Sequence, residues 1–183
     1  MSILNETVAF ATLDTHVKAA FSGGTAHRTL LPAGTDLYKF TGFDAVPNKA
    51  GASYSPWWAA VTSLLDISDP GLDGHIAAAK TAGLPMLIYA RNKFAVMLGW
   101  NSLGNTQSGM AKVVRIRLLQ AVYGFGGRTQ RQREKVDPNR VVGTVNVNKS
   151  PLKLPIFMGG AYQLYIPNLT GATVQVVGSN LIP

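Results

Sequence analysis

The 183-residue sequence predicts one α+β domain with an N-terminal arm, and two observations support this fold class. Before residue 85, two apolar stripes have helical spacing and stop at Gly or Pro residues. From residue 86 onwards, short apolar runs alternate with Gly, Asn and Pro, as strands and turns do. Helices early and strands late favour α+β over alternating βαβ units. We divide the chain into a helical arm, 1–28, and a single α+β domain, 29–183.

The segment before residue 54 is predicted to be mostly arm, turn and loop. Alternation in its one strand places Leu37 and Lys39 on one face and Tyr38 and Phe40 on the other. The predicted elements are a helix over 3–21 that ends at Gly23-Gly24, a turn over 30–35, a strand over 36–40 and a loop over 42–53.

Two helices are predicted next. Ser55 suits an N-cap and Pro56 the first helical position, so a helix is expected from Ser55 until Asp69-Pro70-Gly71 breaks it. An Ala-rich helix over 72–82 then ends at Gly83. The later strands are predicted at Met86–Ala90, Phe94–Trp100, Lys112–Leu119, Ala121–Phe125, Val141–Asn148, Tyr162–Ile166 and Thr173–Val177, with a loop over 130–139.

Composition excludes several kinds of chemistry. The chain has no Cys and three scattered His, so we expect no disulfide, no cysteine nucleophile and no metal site. The last carboxylate side chain is Asp137, and the final 46 residues contain none, which disfavours two-carboxylate glycosidase chemistry. The common phosphate-binding loops and the G-x-S-x-G serine elbow are also absent. No window reaches the roughly 18 apolar residues of a membrane span, and the start does not resemble a signal peptide.

The net charge of +8 is concentrated in the second half of the chain. Residues 1–73 carry four basic and seven acidic side chains, whereas residues 74–183 carry thirteen basic and two acidic ones. The second half is therefore expected to attract anions, whether nucleic acid, phosphates or an acidic partner. A solvated basic loop is the simpler interpretation of its densest cluster. That cluster, residues 128–140, contains Arg128, Arg131, Arg133, Lys135 and Arg140.

Three segments, in this order, resemble the ADP-ribosyltransferase-like toxin superfamily. The first, 31–40, resembles a Pro/Gly turn before a strand of the form apolar–aromatic–Arg, with Lys39 in place of the Arg. The second, 52–58, is similar to a strand end whose serine lies beside the nicotinamide pocket. The third, 159–167, is similar to the late strand that carries the catalytic polar residue. The resemblance implies an ADP-ribosyltransferase-like α+β fold with a strongly twisted or split antiparallel sheet.

The third segment indicates the branch of the superfamily. Members that transfer ADP-ribose to proteins place a Glu on this strand, whereas domains of the tuberculosis necrotizing toxin type, which hydrolyse NAD, carry Gly-Gly-Gly-x-Gln. This chain has Gly-Gly-Ala-Tyr-Gln, ending at Gln163. The resemblance therefore implies an NAD glycohydrolase, with NAD as substrate and no further cofactor. ADP-ribose transfer to a macromolecule is the alternative within the family.

The resemblance assigns roles to individual residues. Gln163 and Ser55 would be catalytic, and Lys39 would contact phosphate, although Lys lacks the bidentate fork of Arg. The remaining candidates bind substrate as cations or as stacking surfaces: Arg91, Arg115, Tyr54, Trp57, Trp58 and Tyr162. Each also has a structural interpretation, such as a helix cap for Ser55 and core packing for the tryptophans.

Two interpretations from other functional classes remain open. The basic second half would suit a nucleic-acid-binding module, and the low charge and strand-rich C-terminal half would suit a phage or secretion-apparatus structural protein. An NAD-consuming toxin would require an immunity protein, and the charge predicts an acidic one. It would be cytoplasmic when made and would reach a target cell by a non-classical export route.

Overall fold

The fold is described by a computed structural model covering residues 3–41, 54–62, 69–95, 112–133 and 156–181. The helices are α1 (Thr15–Ala19), α2 (Gly71–Thr81) and α3 (Met86–Lys93), with short 3-10 turns at Phe10–Thr12 and Ser22–Gly24. The strands in these ranges are β1 (His27–Leu31), β2 (Asp36–Thr41), β3 (Trp57–Ala60), β4 (Lys112–Leu118), β5 (Val122–Arg128), β6 (Gln132–Arg133), β7 (Ile156–Phe157), β8 (Tyr162–Tyr165) and β9 (Val174–Leu181).

Seven of these strands form one antiparallel sheet in the order β1-β5-β8-β3-β2-β4-β9, and β6 pairs with β7 in a separate ribbon. Most neighbours in the sheet are distant in sequence: His27 pairs with Gly126, and Trp58 with Leu164. Strands and helices are not arranged in βαβ units, so the predicted α+β class with an antiparallel sheet is confirmed.

The four-residue strand β3 divides the sheet into two halves. Its first two residues, Trp57 and Trp58, pair with Tyr165 and Leu164 of β8. Its last two, Ala59 and Ala60, pair instead with Tyr38 and Leu37 of β2. The first half of β3 therefore belongs to the half-sheet of β8, and the second half belongs to that of β2. Beyond these pairs, β8 separates from β3 at one end and β2 separates from it at the other, a region that we call the split. The two half-sheets are therefore joined through β3 into one seven-stranded sheet.

A shared apolar core lies on the inner faces of both halves. Alternation along β4 turns Val114, Ile116 and Leu118 inward, and Leu37 of β2 lies on the same face. The other half contributes residues from β8 and β5, so the two halves are joined by packing as well as by β3. The members of this core are Leu31, Leu37, Tyr54, Trp58, Val114, Ile116, Leu118, Val122, Leu164, Ile166, Leu169 and Val174.

Different segments cover the outer faces of the two halves. Helices α2 and α3 pack on the β2 side, where Tyr38, Phe40 and Ala59 join Tyr89 and Phe94 in a second buried cluster. The N-terminal segment covers the β5 side, where the ring of Phe21 lies 5.9 Å from that of Phe10 and 5.7 Å from that of Trp57. The helix layer and the arm therefore cover neighbouring parts of the outer face, since Ala59 packs under the first and Trp57 under the second.

Three sequence-based assignments of secondary structure were wrong. The helix expected from Ser55 is strand β3 over Trp57–Ala60, because successive side chains there are buried on opposite faces of the sheet. The strand expected over Met86–Ala90 is the start of α3, where the Ile88 and Tyr89 amides donate to the Pro85 carbonyl. Short apolar runs do not distinguish these two structures. The arm helix expected over 3–21 shrinks to α1 and one 3-10 turn.

Some shorter segments were also assigned wrongly, and the remaining assignments agree with the structure or lie outside the described residues. Leu30 and Leu31, assigned to a turn, lie in β1, while the turn itself is present because the Thr35 amide donates to the Pro32 carbonyl. Phe94 ends α3 rather than beginning a strand. The predicted strands β2, β4, β5, β8 and β9 and the helix α2 are confirmed. The loop over 42–53, the strand Val141–Asn148 and most of 94–100 and 130–139 lie outside the described residues.

Replacing Gly127 with Ala is expected to destabilise the protein by about 1–3 kcal/mol, the range for overpacking. A Cβ at Gly127 would lie 2.9 Å from the Phe21 ring and 3.1 Å from the Thr25 carbonyl oxygen, so the arm has to shift. Gly178→Ala is the matched control, since nothing lies within 4 Å of its Cβ position. Urea unfolding of both variants measures the difference, and equal stabilities would contradict the described arm packing.

Candidate active site

The turn that leads into β8 is fixed on both sides. Gly159 and Gly160 have φ values of 69° and 93°, which favour glycine. A Cβ at Gly159 would lie 2.6 Å from the Thr129 carbonyl oxygen, so no other residue fits there. The amides of Gly159 and Ala161 donate to the carbonyls of Asn92 and Lys93 at the end of α3. The Gly-Gly segment is therefore held between β5 and α3.

Asp69 fixes the first residue of β8. Its Oδ2 accepts a hydrogen bond from the Tyr162 amide at 2.7 Å, and its Oδ1 accepts one from the Gly71 amide at 3.0 Å. Burial alone would raise the pKa of this carboxyl, but the nearby His75 and the two amides hold it below its usual value. The ionised carboxylate thus joins the start of α2 to the start of β8.

A buried polar network continues from Asp69 into the helix layer. His75 Nε2 lies 3.4 Å from Asp69 Oδ1, and His75 Nδ1 lies 3.2 Å from the Tyr89 hydroxyl. His75 Nδ1 and the Tyr89 hydroxyl are close enough to hydrogen-bond, whereas His75 Nε2 makes no hydrogen bond in the described part of the chain. The Tyr38 hydroxyl is also buried without a hydrogen-bond partner there, and burial raises its pKa.

Gln163 follows directly after the anchored amide. It pairs with Gly127 and lies between Tyr162 and Leu164, which face the shared core, so alternation places it on the outer face with Tyr165. Its side chain is half-buried and makes no hydrogen bond within the described part of the chain. A partly accessible amide with no hydrogen bond to the protein can still bond to a ligand, which makes this group a candidate ligand contact.

Lys39 lies on β2, which is separated from β8 by β3, and its side chain is on the inner face of the sheet. It shares that face with Leu37, as alternation predicts, and its side chain is half-buried. In the described ranges Lys39 has no ion pair and no hydrogen bond, and burial lowers its pKa to about 8. Lys39 and Gln163 therefore lie near the split but on opposite faces of the sheet.

Two of the four predicted stacking residues keep exposed surface. Tyr54 and Trp58 are buried in the shared core, whereas Trp57 and Tyr162 are half-buried. Trp57 packs on the ring of Tyr165, 4.8 Å away, and on Phe21. Tyr162 lies over Gly126, where any Cβ would collide with its ring. Tyr162 thus combines partial exposure with direct adjacency to Gln163.

Ser55 lies apart from Gln163. The Pro56 carbonyl accepts the Ile166 amide, so Ser55 is near the far end of β8, four positions along the register from Gln163. The Ser55 carbonyl accepts the Trp58 indole N–H at 2.6 Å, and its hydroxyl lies 3.4 Å from the Trp57 amide. The structure therefore gives Ser55 a local role at the start of β3 and does not bring it to Gln163.

The candidate cations occupy different environments. Arg91 is buried on α3, directly before the Asn92 and Lys93 carbonyls that hold the Gly-Gly turn. Arg115 lies on β4, 3.8 Å from Asp36, whose carboxylate also binds Arg117 in a bidentate pair at 2.7 and 2.9 Å. Arg117 lowers the pKa of Asp36. Arg91 is thus beside the candidate site, whereas Arg115 belongs to a cross-strand charge cluster.

The basic cluster is described only in part, because residues 134–140 lie outside the described ranges. Arg128 donates to the Gly160 carbonyl, so this cation supports the turn before β8. Sequence reasoning assigned Asp69 to a break between two helices and did not connect it with β8. The Asp-Pro-Gly break before α2 was the available signal, since Asp commonly caps such a start.

Comparisons with known proteins give limited information. No protein-family model matches the chain, and no curated protein matches it in sequence. Two solved structures match: Tne2 in complex with Tni2, at 12% identity and a TM-score of 0.45, and Rhs1-CT in complex with its cognate immunity protein RhsI1, at 13% and 0.44. The first match covers 87% of this chain and 93% of the other, and the second covers 86% and 81%. Both TM-scores are too low to support a functional conclusion.

The described ranges contain neither a membrane-spanning helix nor a metal-binding group of side chains. None of the helices described is long and apolar enough to span a membrane. The described residues also contain no group of three or more His, Cys, Asp or Glu side chains placed to hold a metal ion.

Replacing Lys39 with Met is expected to stabilise the protein by about 1–3 kcal/mol at pH 7, because a pKa of about 8 instead of 10.5 means that folding disfavours the charged amine. The folded state binds fewer protons than the unfolded state between these two pKa values, so wild-type stability rises with pH across that window. The advantage of Lys39→Met should therefore shrink between pH 8 and pH 10.5. Urea unfolding at pH 7 and pH 10 tests this, and a destabilised Met variant would contradict it.

Proposed function

We propose that the protein is an NAD-consuming toxin that hydrolyses NAD to nicotinamide and ADP-ribose. The observation that carries the proposal is Gln163: a half-buried amide with no side-chain partner in the described chain, on a backbone fixed by Asp69 and the Gly-Gly turn. A functional group held in place yet left unpaired is the expected form of a preorganised substrate contact. The similarity of Gly-Gly-Ala-Tyr-Gln to the glycohydrolase strand adds the substrate class.

The reaction makes modest demands on the protein. Water attacks the C1 carbon of the nicotinamide ribose, the glycosidic C–N bond breaks, and nicotinamide leaves with the electron pair as a neutral base. The water loses its proton to solvent, and positive charge develops on the ribose in the transition state. Such a reaction is accelerated mainly by positioning and electrostatics. Gln163 suits this role because its amide both donates and accepts hydrogen bonds, to a ribose hydroxyl or to the attacking water.

Lys39 supplies the proposed contact with the pyrophosphate. A desolvated lysine without a protein counter-ion gains most from an anionic ligand, which would raise its pKa and restore its charge. In this proposal the dinucleotide crosses the split, where β2 and β8 each leave β3. Arg91, beside the Gly-Gly turn, is the second proposed phosphate contact. Trp57, on the same face as Gln163, offers a partly exposed aromatic surface for nicotinamide, whereas Tyr162 lies on the face of Lys39.

Purified protein is expected to release nicotinamide from NAD, and Gln163→Ala should lower the rate by about 10²–10³, the range for loss of one preorganised polar contact. Gln175→Ala, on an exposed position of β9, is the matched control and should retain full activity. Gln163→Glu tests the transferase alternative, because a carboxylate would restore the transferase-type residue. Chromatographic detection of nicotinamide and ADP-ribose provides the assay. A folded wild type that releases no nicotinamide, with or without acceptor proteins, would contradict the proposal.

Expression of the protein in a bacterial cytoplasm is expected to lower cellular NAD and arrest growth, whereas Gln163→Ala should relieve both effects. We propose that the producing cell is protected by an acidic immunity protein, which the +11 balance of residues 74–183 favours. Colony counts and NAD measurements on the same cultures distinguish toxicity through NAD from general burden. Equal arrest by wild type and Gln163→Ala at matched protein levels would count against the enzyme.

A further inference from the structure

The Asp69 carboxylate has more bonding partners at the candidate site than a helix cap requires. One oxygen accepts the amide of Gly71, two residues further along the chain, which is a local turn contact before α2. The other accepts the amide of Tyr162, 93 positions away, at 2.7 Å. The residue after that amide is Gln163. A single carboxylate just before α2 therefore fixes the β8 backbone beside the proposed catalytic side chain.

The anchor is itself held in place. Asp69 is only 7% exposed, and His75, 3% exposed, places Nε2 at 3.4 Å from its Oδ1. Tyr89 holds the other imidazole nitrogen at 3.2 Å. Asp69, His75 and Tyr89 thus form a series of contacts from the β8 backbone through α2 to α3. All three side chains are buried, so none of them contacts substrate directly.

We infer that Asp69 is a positioning residue for the reaction at Gln163, and that His75 and Tyr89 keep its carboxylate oriented. This inference rests on the proposed function, because it assigns Gln163 as the group being positioned. Asp69 touches no reacting atom. It holds the Tyr162 amide so that the Gln163 amide meets the ribose at a fixed distance, and a displacement of about 1 Å is enough to lower a rate about a hundredfold.

Asp69→Asn is the central test, because Asn has the same shape but only one acceptor oxygen for the two amides. We expect kcat for NAD hydrolysis to fall by about tenfold to a hundredfold with KM changed by less than about twofold, since ground-state binding is largely retained. Asp73→Asn, which removes an exposed carboxylate from the first turn of the same helix, is the matched control and should leave both constants unchanged.

Amide hydrogen exchange provides a readout that does not depend on enzymatic activity. In Asp69→Asn the Tyr162 amide should exchange at least about tenfold faster, while amides of β4 should change only as far as global stability changes. If the wild type does not hydrolyse NAD, the proposed function fails, but the exchange measurement still decides whether Asp69 fixes β8. Uniformly faster exchange would instead show a general stability role and overturn the inference.

Tyr89→Phe serves if Asp69→Asn does not fold, because it removes only the hydroxyl that holds His75. The inference predicts a smaller decrease in kcat, with unchanged KM and faster exchange confined to Tyr162 and its neighbours. Loss of activity through KM alone, or unchanged kcat in a folded Asp69→Asn variant, would overturn the positioning role.

Discussion

The arrangement of the molecule depends on the pairing of one four-residue strand with two different partners. Because Trp57 and Trp58 pair with β8 while Ala59 and Ala60 pair with β2, β3 is the strand whose backbone joins the two half-sheets. The sequence of the strand suits both tasks. The two large rings fill the core and contact the arm, whereas the two small side chains allow β2 and the helix layer to approach closely. The proposed site lies where this sharing ends, at the first residues of β8.

Two polar groups near the split have no protein partner in the described chain, and burial of one of them, the Lys39 amine, is unfavourable for folding. The Lys39 amine is desolvated without a counter-ion in the described chain, and the Gln163 amide is half-buried without a partner there. The nearby Asp69 differs, since two backbone amides donate to it and His75 Nε2 lies 3.4 Å away. Binding sites commonly combine unsatisfied groups that face a ligand with satisfied groups that support them. The presence or absence of protein partners therefore distinguishes the proposed substrate contacts, Lys39 and Gln163, from Asp69, which supports the backbone.

The sequence predicted the later strands well because their alternation and Gly punctuation are local signals. It predicted β3 as a helix, since Ser55-Pro56 resembles a helix start and the decisive partner strand lies more than 100 residues away. It also predicted Lys39 and Leu37 to share a face, which the core confirms. It could not show that Lys39 and Gln163 lie on opposite faces, or that Asp69 reaches Tyr162, because strand register and long-range hydrogen bonds depend on tertiary packing.

The long sequence separations within the sheet have a consequence for synthesis of the chain. β1 pairs with β5 across some 95 residues, and β3 pairs with β8 across more than 100, so little of the sheet forms from neighbouring segments. Folding dominated by such non-local pairing is slow, on a scale of about milliseconds to seconds. A nascent chain also lacks one side of the split until residue 165 has left the ribosome. Any catalytic competence of this protein is therefore acquired only after β8 has been synthesised and has paired with β3.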